Sequence, residues 1–209
     1  MRFGVKIPIS CRSVGVNRTA GYFRKIAGER LYLSPVNGNG DDAESYLKWM
    51  NNKPVAIHFG QYNRVVSSKS DLKWIYEPGS DMQRYAMVLL DGDVLIGSIS
   101  IHNIDHLSRN AFLGIFIGEE EYRSKGYGAE AIRLLLEYGF KTLNLHNIML
   151  TVHADNDTGI ACYKKVGFRE VGRLPEWVFK EGQYIDKIYM GILAREFLGE
   201  GSLPCNPMA

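Results

Sequence analysis

The stretch 122-YRSKGYGAEAIRLLLEYGF-140 places a basic turn with two closely spaced glycines directly before a long apolar stripe. Ile132, Leu135, Leu136 and Phe140 recur three or four residues apart, which is the spacing of one face of an α-helix. The first backbone N–H groups of a helix lack partners, and the helix dipole adds partial positive charge at the same end. The stretch therefore predicts a buried helix whose start can bind an anion.

Two well-known phosphate-binding turns also place glycines at a helix start, and neither fits well. The P-loop requires Gly-Lys followed by Ser or Thr, which does not occur in this chain. Gly126, Gly128 and Ala131 match the dinucleotide-binding pattern GxGxxG/A, but that turn follows its strand almost directly and has an acidic residue about 20 positions further on. Here residues 118–125 separate the predicted strand from the first glycine, and residues 142–153 contain no acidic side chain. The spacing therefore disfavours a dinucleotide site.

The order of the remaining patterns predicts one α/β domain over residues 30–198, with a basic, glycine-rich extension at 1–29 and a tail at 199–209. The first predicted elements are a strand LYLSPV from residue 31, a helix that begins at Asp41 or Asp42, and a short helix capped by Ser70. A hairpin of RYAMVLL and VLIGSISIH around Asp91-Gly92-Asp93 follows, and then a third antiparallel strand AFLGIFIG. The remaining elements are the helix after Gly126, a strand NIMLTVHA, a helix TGIACYKKV, and a hairpin of Phe168–Val178 and Tyr184–Ile192 around Lys180-Glu181-Gly182. This order predicts a mixed, mostly antiparallel central sheet flanked by helices.

The composition excludes several classes of protein. The 209 residues, 45% of them hydrophobic, suffice for one full core, and a net charge of +2 gives no general attraction to nucleic acid or to an anionic membrane. Cys11, Cys162 and Cys205 lie far apart without a CxxC spacing, which argues against a disulfide framework and a zinc site and favours a reducing compartment. No stretch approaches the roughly 20 apolar residues of a membrane helix, and the N-terminus has no signal-peptide run. We therefore expect a cytoplasmic protein with no nucleic-acid or membrane partner and no metal.

Two motifs, in this order and separated by a strand, resemble those of the GNAT acetyltransferases. The turn RSKGYG at residues 123–128 matches their (Gln/Arg)-x-x-Gly-x-(Gly/Ala) motif, and NDTGIACYKKVGF at 156–168 matches their later Asn-x-x-Ala-x-x-x-Tyr-x-x-x-Gly-Phe pattern. Gly159 stands where the second pattern usually has Ala. The resemblance runs from about residue 28 to residue 198. The ending of the chain resembles the branch of the family that contains ribosomal-protein N-terminal and spermidine N-acetyltransferases.

This resemblance implies acetyl-coenzyme A as the donor and an amine as the acceptor. Backbone N–H groups at the helix start would bind the diphosphate of the coenzyme, because the glycines let the main chain approach it closely. The end of the strand at 111–117 would offer backbone groups to the pantetheine arm and to the thioester carbonyl. The implied coenzyme-binding residues are Phe116, Ile117, Gly118, Arg123, Ser124, Lys125, Gly126, Tyr127, Gly128, Ala129, Asn156 and Tyr163.

Acetyl transfer also requires a proton donor for the leaving thiolate and a base for the incoming ammonium group. Tyr163 stands at the position of the family's tyrosine acid, although such a residue can also serve packing alone. Asn156 either holds the pantetheine arm or caps the helix start. Among the candidate bases Glu119 is preferred, although a solvated glutamate cluster is the simpler interpretation of residues 119–121. The other candidates are Glu120, Glu121, His102, Asp105, His106 and His153.

Together these residues predict an enzyme that moves an acetyl group directly to a primary amine, either a protein N-terminus or a polyamine-like small amine. Acetylation of amino sugars or antibiotics remains an alternative, and so does a non-catalytic module that only binds acetyl-CoA. The acceptor groove is expected between the N-terminal helices and the last hairpin, near Trp74, Tyr76, Trp177 and Tyr184. Acidic residues spread along the chain slightly favour a cationic acceptor. A homodimer is a further expectation, because members of the family are often dimers.

Overall fold

A computed structural model of the chain describes residues 21–36, 42–59, 63–77 and 79–199. The strands are β1 (Ile26–Ala27), β2 (Leu31–Pro35), β3 (Gln83–Leu89), β4 (Leu95–Asp105), β5 (Asn110–Ile117), β6 (Asn147–His153), β7 (Arg169–Lys180) and β8 (Gln183–Leu193). The helices are α1 (Asp42–Met50), α2 (Lys53–Phe59), α3 (Lys73–Tyr76), α4 (Tyr127–Lys141), α5 (Asp157–Val166) and α6 (Ala194–Leu198), with 3-10 turns at Lys69–Leu72 and Glu120–Tyr122.

All eight strands lie in one sheet, in the order β1-β2-β3-β4-β5-β6-β8-β7. Every pair of neighbours is antiparallel except β5 and β6, which are parallel. The exception follows from the connection, because α4 joins β5 to β6 and a crossover helix returns the chain to the same end of the sheet. The predicted mixed, mostly antiparallel sheet flanked by helices is confirmed.

Strand β5 is paired unequally on its two sides. It pairs with β4 over most of its length, from Asn110 to Ile117, but it pairs with β6 only from Asn110 to Phe112. From residue 113 onward, the edge of β5 that faces β6 pairs with no strand of the described residues. The two strands therefore form a fork, which opens toward the C-terminal end of β5.

Helix α4 covers one face of the sheet, as the apolar stripe predicts. Its residues Ile132, Leu135 and Leu136 are fully buried in a core that alternate residues of the central strands complete. The opposite face is covered over part of its area by α1, α2 and α3, where Tyr46 and Trp49 meet Phe116 of β5 edge to face. The sheet thus has one face whose central strands are covered by α4 and one face that is only partly covered.

Three features differ from the sequence prediction. Helices α2 and α6 were not predicted, because each has at most seven residues and too few turns to show a helical period. Strand β1 lies inside the predicted extension and adds an edge strand to the sheet. The helical segment after residue 68 is not capped by Ser70, since the Asp71 carboxylate accepts the backbone N–H groups of Ser67 and Ser68 instead. Asp41, one of the two predicted starts of α1, lies outside the described residues.

Candidate active site

The start of α4 is open to solvent. Gly126 stands at the cap position with φ of 86°, a left-handed conformation that glycine adopts without steric cost, and no side chain of the described residues caps the helix. Ser124 also has a positive φ, and residues 124–126 are exposed. The first N–H groups of the helix therefore point toward water, which is the arrangement that binds an anion.

Arg30 stabilises this turn through side-chain contacts, a role that the sequence did not reveal. Its Nη1 donates to the carbonyl of Lys125 at 3.0 Å, and its Nε donates to the Glu130 carboxylate at 2.7 Å. The guanidinium also lies over the ring of Tyr127, 4.7 Å from its centre. Because Arg30 precedes Glu130 by 100 residues, no local pattern could have shown that it shapes the turn.

The two predicted cations of the turn have different surroundings. Arg123 donates to the carbonyl of Ile117 at 3.3 Å and to the carbonyl of Gly118 at 3.2 Å, so its guanidinium braces the end of β5. Lys125 is exposed and its ammonium group lies 5.9 Å from the ring centre of Tyr122. Lys125 is therefore the cation of this pair that is placed to contact a phosphate.

Gly128 marks the point where the candidate elements converge. A methyl group at this position would lie 3.8 Å from Sγ of Cys162 in α5 and 3.8 Å from Cδ1 of Ile117 in β5. Cys162 itself is half-buried, and Tyr163 follows it on α5. The first turn of α4, the helix α5 and the open end of β5 thus meet in one place.

The backbone groups at the end of β5 divide between its two edges. Gly118 donates its N–H to the carbonyl of Ile96 at 2.9 Å, so this amide is used within the sheet. Phe116 pairs with Ser98, on the same side of the strand as Gly118. Because backbone groups alternate along a strand, the N–H groups of Ile115 and Ile117 face the fork instead.

Asn156 stands at the cap position before α5, and Tyr163 lies within this helix. Asn156 caps the helix, because its Oδ1 accepts the N–H of Gly159 at 3.0 Å, and a methyl group on Gly159 would lie only 2.7 Å from its Nδ2. Tyr163 packs edge to face against Phe168. Burial raises the pKa of the Tyr163 phenol well above its usual range, so the group stays protonated near neutral pH. Its hydroxyl makes no hydrogen bond to any residue that the structure describes.

Glu119 is anchored by its neighbours. Its carboxylate accepts from the ammonium group of Lys48 at 2.7 Å and from the indole N–H of Trp49 at 3.0 Å. These hydrogen bonds, that of Lys48 first, hold the pKa of Glu119 below its ordinary value. A carboxylate stabilised in this way is a weaker base than a free one.

The other candidate bases differ in how far they are available. Asp105 accepts the backbone N–H groups of Leu107 and Ser108 in a tight turn, and these bonds lower its pKa. His102 stacks on Phe112 and is half-buried, and burial together with the charge of Arg84 lowers its pKa. Its imidazole is therefore neutral near pH 7 and can accept a proton.

The partly covered face of the sheet forms the floor of the candidate acceptor groove. Cross-strand pairing places Ser100 beside Gly114 and His102 beside Phe112, and Phe112 lies beside Met149 of β6. Further along the same face the register brings together Thr151, His153, Lys187 and Tyr189. All of these side chains except Ser100 are half-buried.

The N-terminal helices and the last hairpin meet at one side of this floor. Lys53 of α2 forms an ion pair with Glu181 in the turn between β7 and β8. Of the predicted lining residues, Trp74 and Tyr76 pack in the cluster around Tyr46, whereas Trp177 and Tyr184 are exposed on the hairpin.

The described residues contain no group of three His, Cys, Asp or Glu side chains that could hold a metal ion. In the same part of the chain, no helix has both the length and the apolar character needed to cross a bilayer.

Comparison with known proteins gives a consistent result. Residues 30–169 match the family described as the acetyltransferase (GNAT) domain. The chain is 35% identical over 122 residues to spermidine N(1)-acetyltransferase of Escherichia coli (strain K12), a match that covers 58% of this chain and 64% of that protein. It is 31% identical over 137 residues to spermidine N(1)-acetyltransferase of Vibrio cholerae, which covers 66% of this chain and 72% of that protein. The matched segment thus spans slightly less than two thirds of the Escherichia coli relative.

The fold is also similar to that of a solved relative. The crystal structure of spermidine N-acetyltransferase from Vibrio cholerae in complex with CoA and spermine superimposes with a TM-score of 0.72 at 27% sequence identity. The superposition covers 81% of this chain and 98% of that one.

Proposed function

The chain belongs to the GNAT acetyltransferase family, since that domain matches residues 30–169, and we propose from this premise that it is an acetyl-CoA-dependent N-acetyltransferase acting on primary amines. The observation that carries the proposal is the uncapped helix start at Gly126, which lies beside the open fork of β5 and β6. The helix start can bind a diphosphate, and the fork exposes backbone amides of β5. Gly128 of α4 lies close to Ile117 of β5, so the two features are adjacent. Direct transfer needs them adjacent, because one thioester carrier must reach both.

The residues at the start of α4 fit coenzyme A. Its diphosphate would be bound by the N–H groups at the start of α4, where residues 124–126 are exposed and Tyr127 and Gly128 are half-buried, with Lys125 adding charge. Arg30 and Arg123 act by positioning, because their guanidinium groups are already bonded to the turn and to the end of β5. Acetyl-CoA supplies the activated acetyl group.

The fork would accommodate the reacting groups. The N–H groups of Ile115 and Ile117 face it and can stabilise negative charge that develops on a carbonyl oxygen. Tyr163 is protonated and can donate its phenolic proton to a departing thiolate. Asn156 remains a candidate for the pantetheine arm in addition to its role as a helix cap.

The base must be neutral or anionic and must lie near the fork. His102 meets both conditions, because a methyl group on Gly114, where β5 has left β6, would lie 3.4 Å from its Cε1. Glu119, which the sequence favoured, is weakened by Lys48 and Trp49. We therefore assign proton removal to His102 in preference to Glu119.

The proposed acceptor is a small primary amine or a protein N-terminus. The relatives whose names specify spermidine support an amine acceptor in general. We also propose that the protein acts in the cytoplasm, which its scattered cysteines support.

The variant Gly126→Glu tests the coenzyme site. A carboxylate at the helix start would occupy the place of the diphosphate and repel it, so we expect the Kd for acetyl-CoA to rise at least about 100-fold, equivalent to about 2.7 kcal/mol. Gly126→Ala is the matched control, because it has the same positive φ and the same contact with Arg30 but adds no charge. Titration calorimetry measures binding, and circular dichroism confirms that both variants are folded.

Thiol release from acetyl-CoA with a panel of amines tests turnover. Spermidine, a peptide with a free N-terminus and an amino sugar represent the main acceptor classes. Release with at least one of them is the expected result. Coenzyme binding without release for any amine would favour the non-catalytic module, and unchanged binding by Gly126→Glu would contradict the assigned coenzyme site.

A further inference from the structure

Arg84 is a buried cation on the floor of the acceptor groove. It lies on β3 beside Ser100 of β4, on the face opposite α4, and only 9% of its surface is exposed. Its guanidinium stacks over the ring of Trp74 in α3, 4.9 Å from the ring centre. The ring therefore holds the side chain in place on this face of the sheet.

The guanidinium is poorly satisfied. It has five N–H donors, yet its one described hydrogen bond goes to the Met82 sulfur at 3.5 Å, which is a weak acceptor. Its Nε is buried and has no hydrogen-bond partner in the part of the chain that the structure describes. No carboxylate of the described residues forms an ion pair with it, and buried charges in proteins are ordinarily paired.

The side chains beside Arg84 on the sheet are polar and uncharged. Ser98 and Ser100 are buried beside it, and His102 is neutral. Asp42 accepts a hydrogen bond from the Tyr22 hydroxyl. An anion delivered from outside would therefore complete the site.

The distance from Arg84 to the fork suits a small molecule. Arg84 is on β3 and Gly114 is on β5, on the same face, and Ser100 of β4 lies between them. Strands are spaced about 4.8 Å apart, which separates the two backbones by about 10 Å, and the extended arginine side chain spans part of that separation. One small acceptor can thus contact Arg84 while its amine lies at the fork.

We propose that Arg84 is a specificity-determining residue that binds an anionic oxygen group, a carboxylate or a phosphate, carried by a small amine acceptor. A guanidinium binds both groups through two parallel hydrogen bonds, and its charge repels an acceptor that carries only cations. The inference rests on the proposed acetyl transfer and specifies its acceptor class.

Matched pairs of acceptors test this inference on the full chain. 4-Aminobutyrate is compared with butylamine, and glucosamine 6-phosphate is compared with glucosamine, so that the two pairs separate a carboxylate from a phosphate. We expect kcat/KM to be at least about tenfold higher for the anionic member of one pair, mainly through a lower KM, and spermidine to be a poorer acceptor than that member.

Two variants of Arg84 assign the preference to this side chain. In Arg84→Gln, kcat/KM for the two members of the preferred pair is expected to differ by no more than about twofold. Arg84→Lys is expected to retain part of the preference, since lysine keeps the charge but not the planar pair of N–H donors. Arg195→Gln on α6 is the control, because it removes the same charge from an exposed site outside the groove. The Kd for acetyl-CoA is measured for every variant as evidence of an intact fold.

The outcomes are distinguishable. Thiol release with butylamine, glucosamine or spermidine, but with no higher kcat/KM for 4-aminobutyrate or glucosamine 6-phosphate, would overturn this inference. The proposed acetyltransferase activity would still stand. A preference that persists in Arg84→Gln would overturn the role of Arg84. Failure to bind acetyl-CoA, with no release for any amine, would overturn the proposed function and this inference with it.

Discussion

The side chains around the fork divide into those that position the backbone and those that can take part in chemistry. Arg123 and Glu119 belong to the first group, since Arg123 bonds to the last carbonyls of β5 and Glu119 bonds to Lys48 and Trp49 of α1. Tyr163 and His102 belong to the second group. Both have protonation states that suit their proposed roles, and burial is the main physical cause in each case.

Tyr163→Phe removes the phenolic hydroxyl and keeps the packing of the ring against Phe168. We expect kcat to fall by about 10²-fold or more, the lower end of the usual contribution of general acid catalysis, while the Kd for acetyl-CoA changes less than threefold, roughly 0.7 kcal/mol. Steady-state kinetics and calorimetry measure the two effects. Unchanged turnover would remove Tyr163 from catalysis.

His102→Gln and Glu119→Gln separate the two candidate bases through their pH profiles. A base must be deprotonated, so activity is lost as pH falls through its pKa. Burial lowers the pKa of His102 from an ordinary value of 6.5, and wild-type kcat/KM is therefore expected to decline on the acid side below that value. His102→Gln should remove this decline of kcat/KM at acid pH and lower kcat by about 10²-fold or more.

Glu119→Gln should keep the decline of kcat/KM at acid pH and mainly lower Tm at pH 7. A carboxyl group whose pKa is depressed on folding stabilises the protein above its unfolded pKa, and the contribution is lost as pH falls through the folded pKa. The Tm difference from wild type should therefore shrink between pH 7 and pH 3. If Glu119→Gln lost the decline of kcat/KM at acid pH while His102→Gln stayed active, Glu119 and not His102 would be the base.

At the scale of elements, the site depends on how β5 is packed between its neighbours. Its pairing with β6 ends after Phe112, while Trp49 of α1 packs against the strand end at Gly118. A methyl group on Gly118 would lie 2.1 Å from the Trp49 ring, which is 1% exposed. The glycine therefore serves the docking of α1, and this docking in turn places Glu119 and the end of the fork.

Gly118→Ala is expected to separate α1 from β5, because a buried indole cannot move away without displacing Tyr46 and Phe116. We expect the free energy of unfolding to fall by about 1–3 kcal/mol or more, the usual cost of overpacking a core. Chemical denaturation measures the loss. Gly172→Ala in β7 is the control, since a methyl group there meets nothing within 4 Å, and an equal effect of both substitutions would contradict the explanation.

At the scale of the whole molecule, residues before the predicted domain take part in the fold. Strand β1 pairs with β2, the Tyr22 hydroxyl donates to Asp42 at the start of α1, and the backbone N–H of Phe23 donates to the hydroxyl of Ser34. Asp42 and Ser34 are both buried. Residues 22–28 thus connect the edge of the sheet with the first helix.

Deletion of residues 1–29 is therefore expected to lower Tm relative to deletion of residues 1–20, which retains Tyr22 and β1. The longer deletion removes one hydrogen bond from each of two buried polar side chains, at a typical cost of about 0.5–1.5 kcal/mol for each hydrogen bond lost. Differential scanning calorimetry of the two proteins measures the difference. Equal Tm values would show that the domain begins at residue 30, as the sequence pattern alone indicated.

The local patterns of the sequence determined the family, the mixed sheet, the helix α4 and the glycine turn, because helical period, strand alternation and turn chemistry are encoded within a few residues. Only the tertiary structure decided which groups at the site are free and which are already used. It placed Arg30 against a turn about 100 residues away, paired the amide of Gly118 and the carboxylate of Glu119 with other groups, and gave Arg84 no ion pair with any residue that the structure describes. Burial, pairing and electrostatic surroundings depend on contacts between residues far apart in the chain, and no short stretch of sequence encodes such contacts.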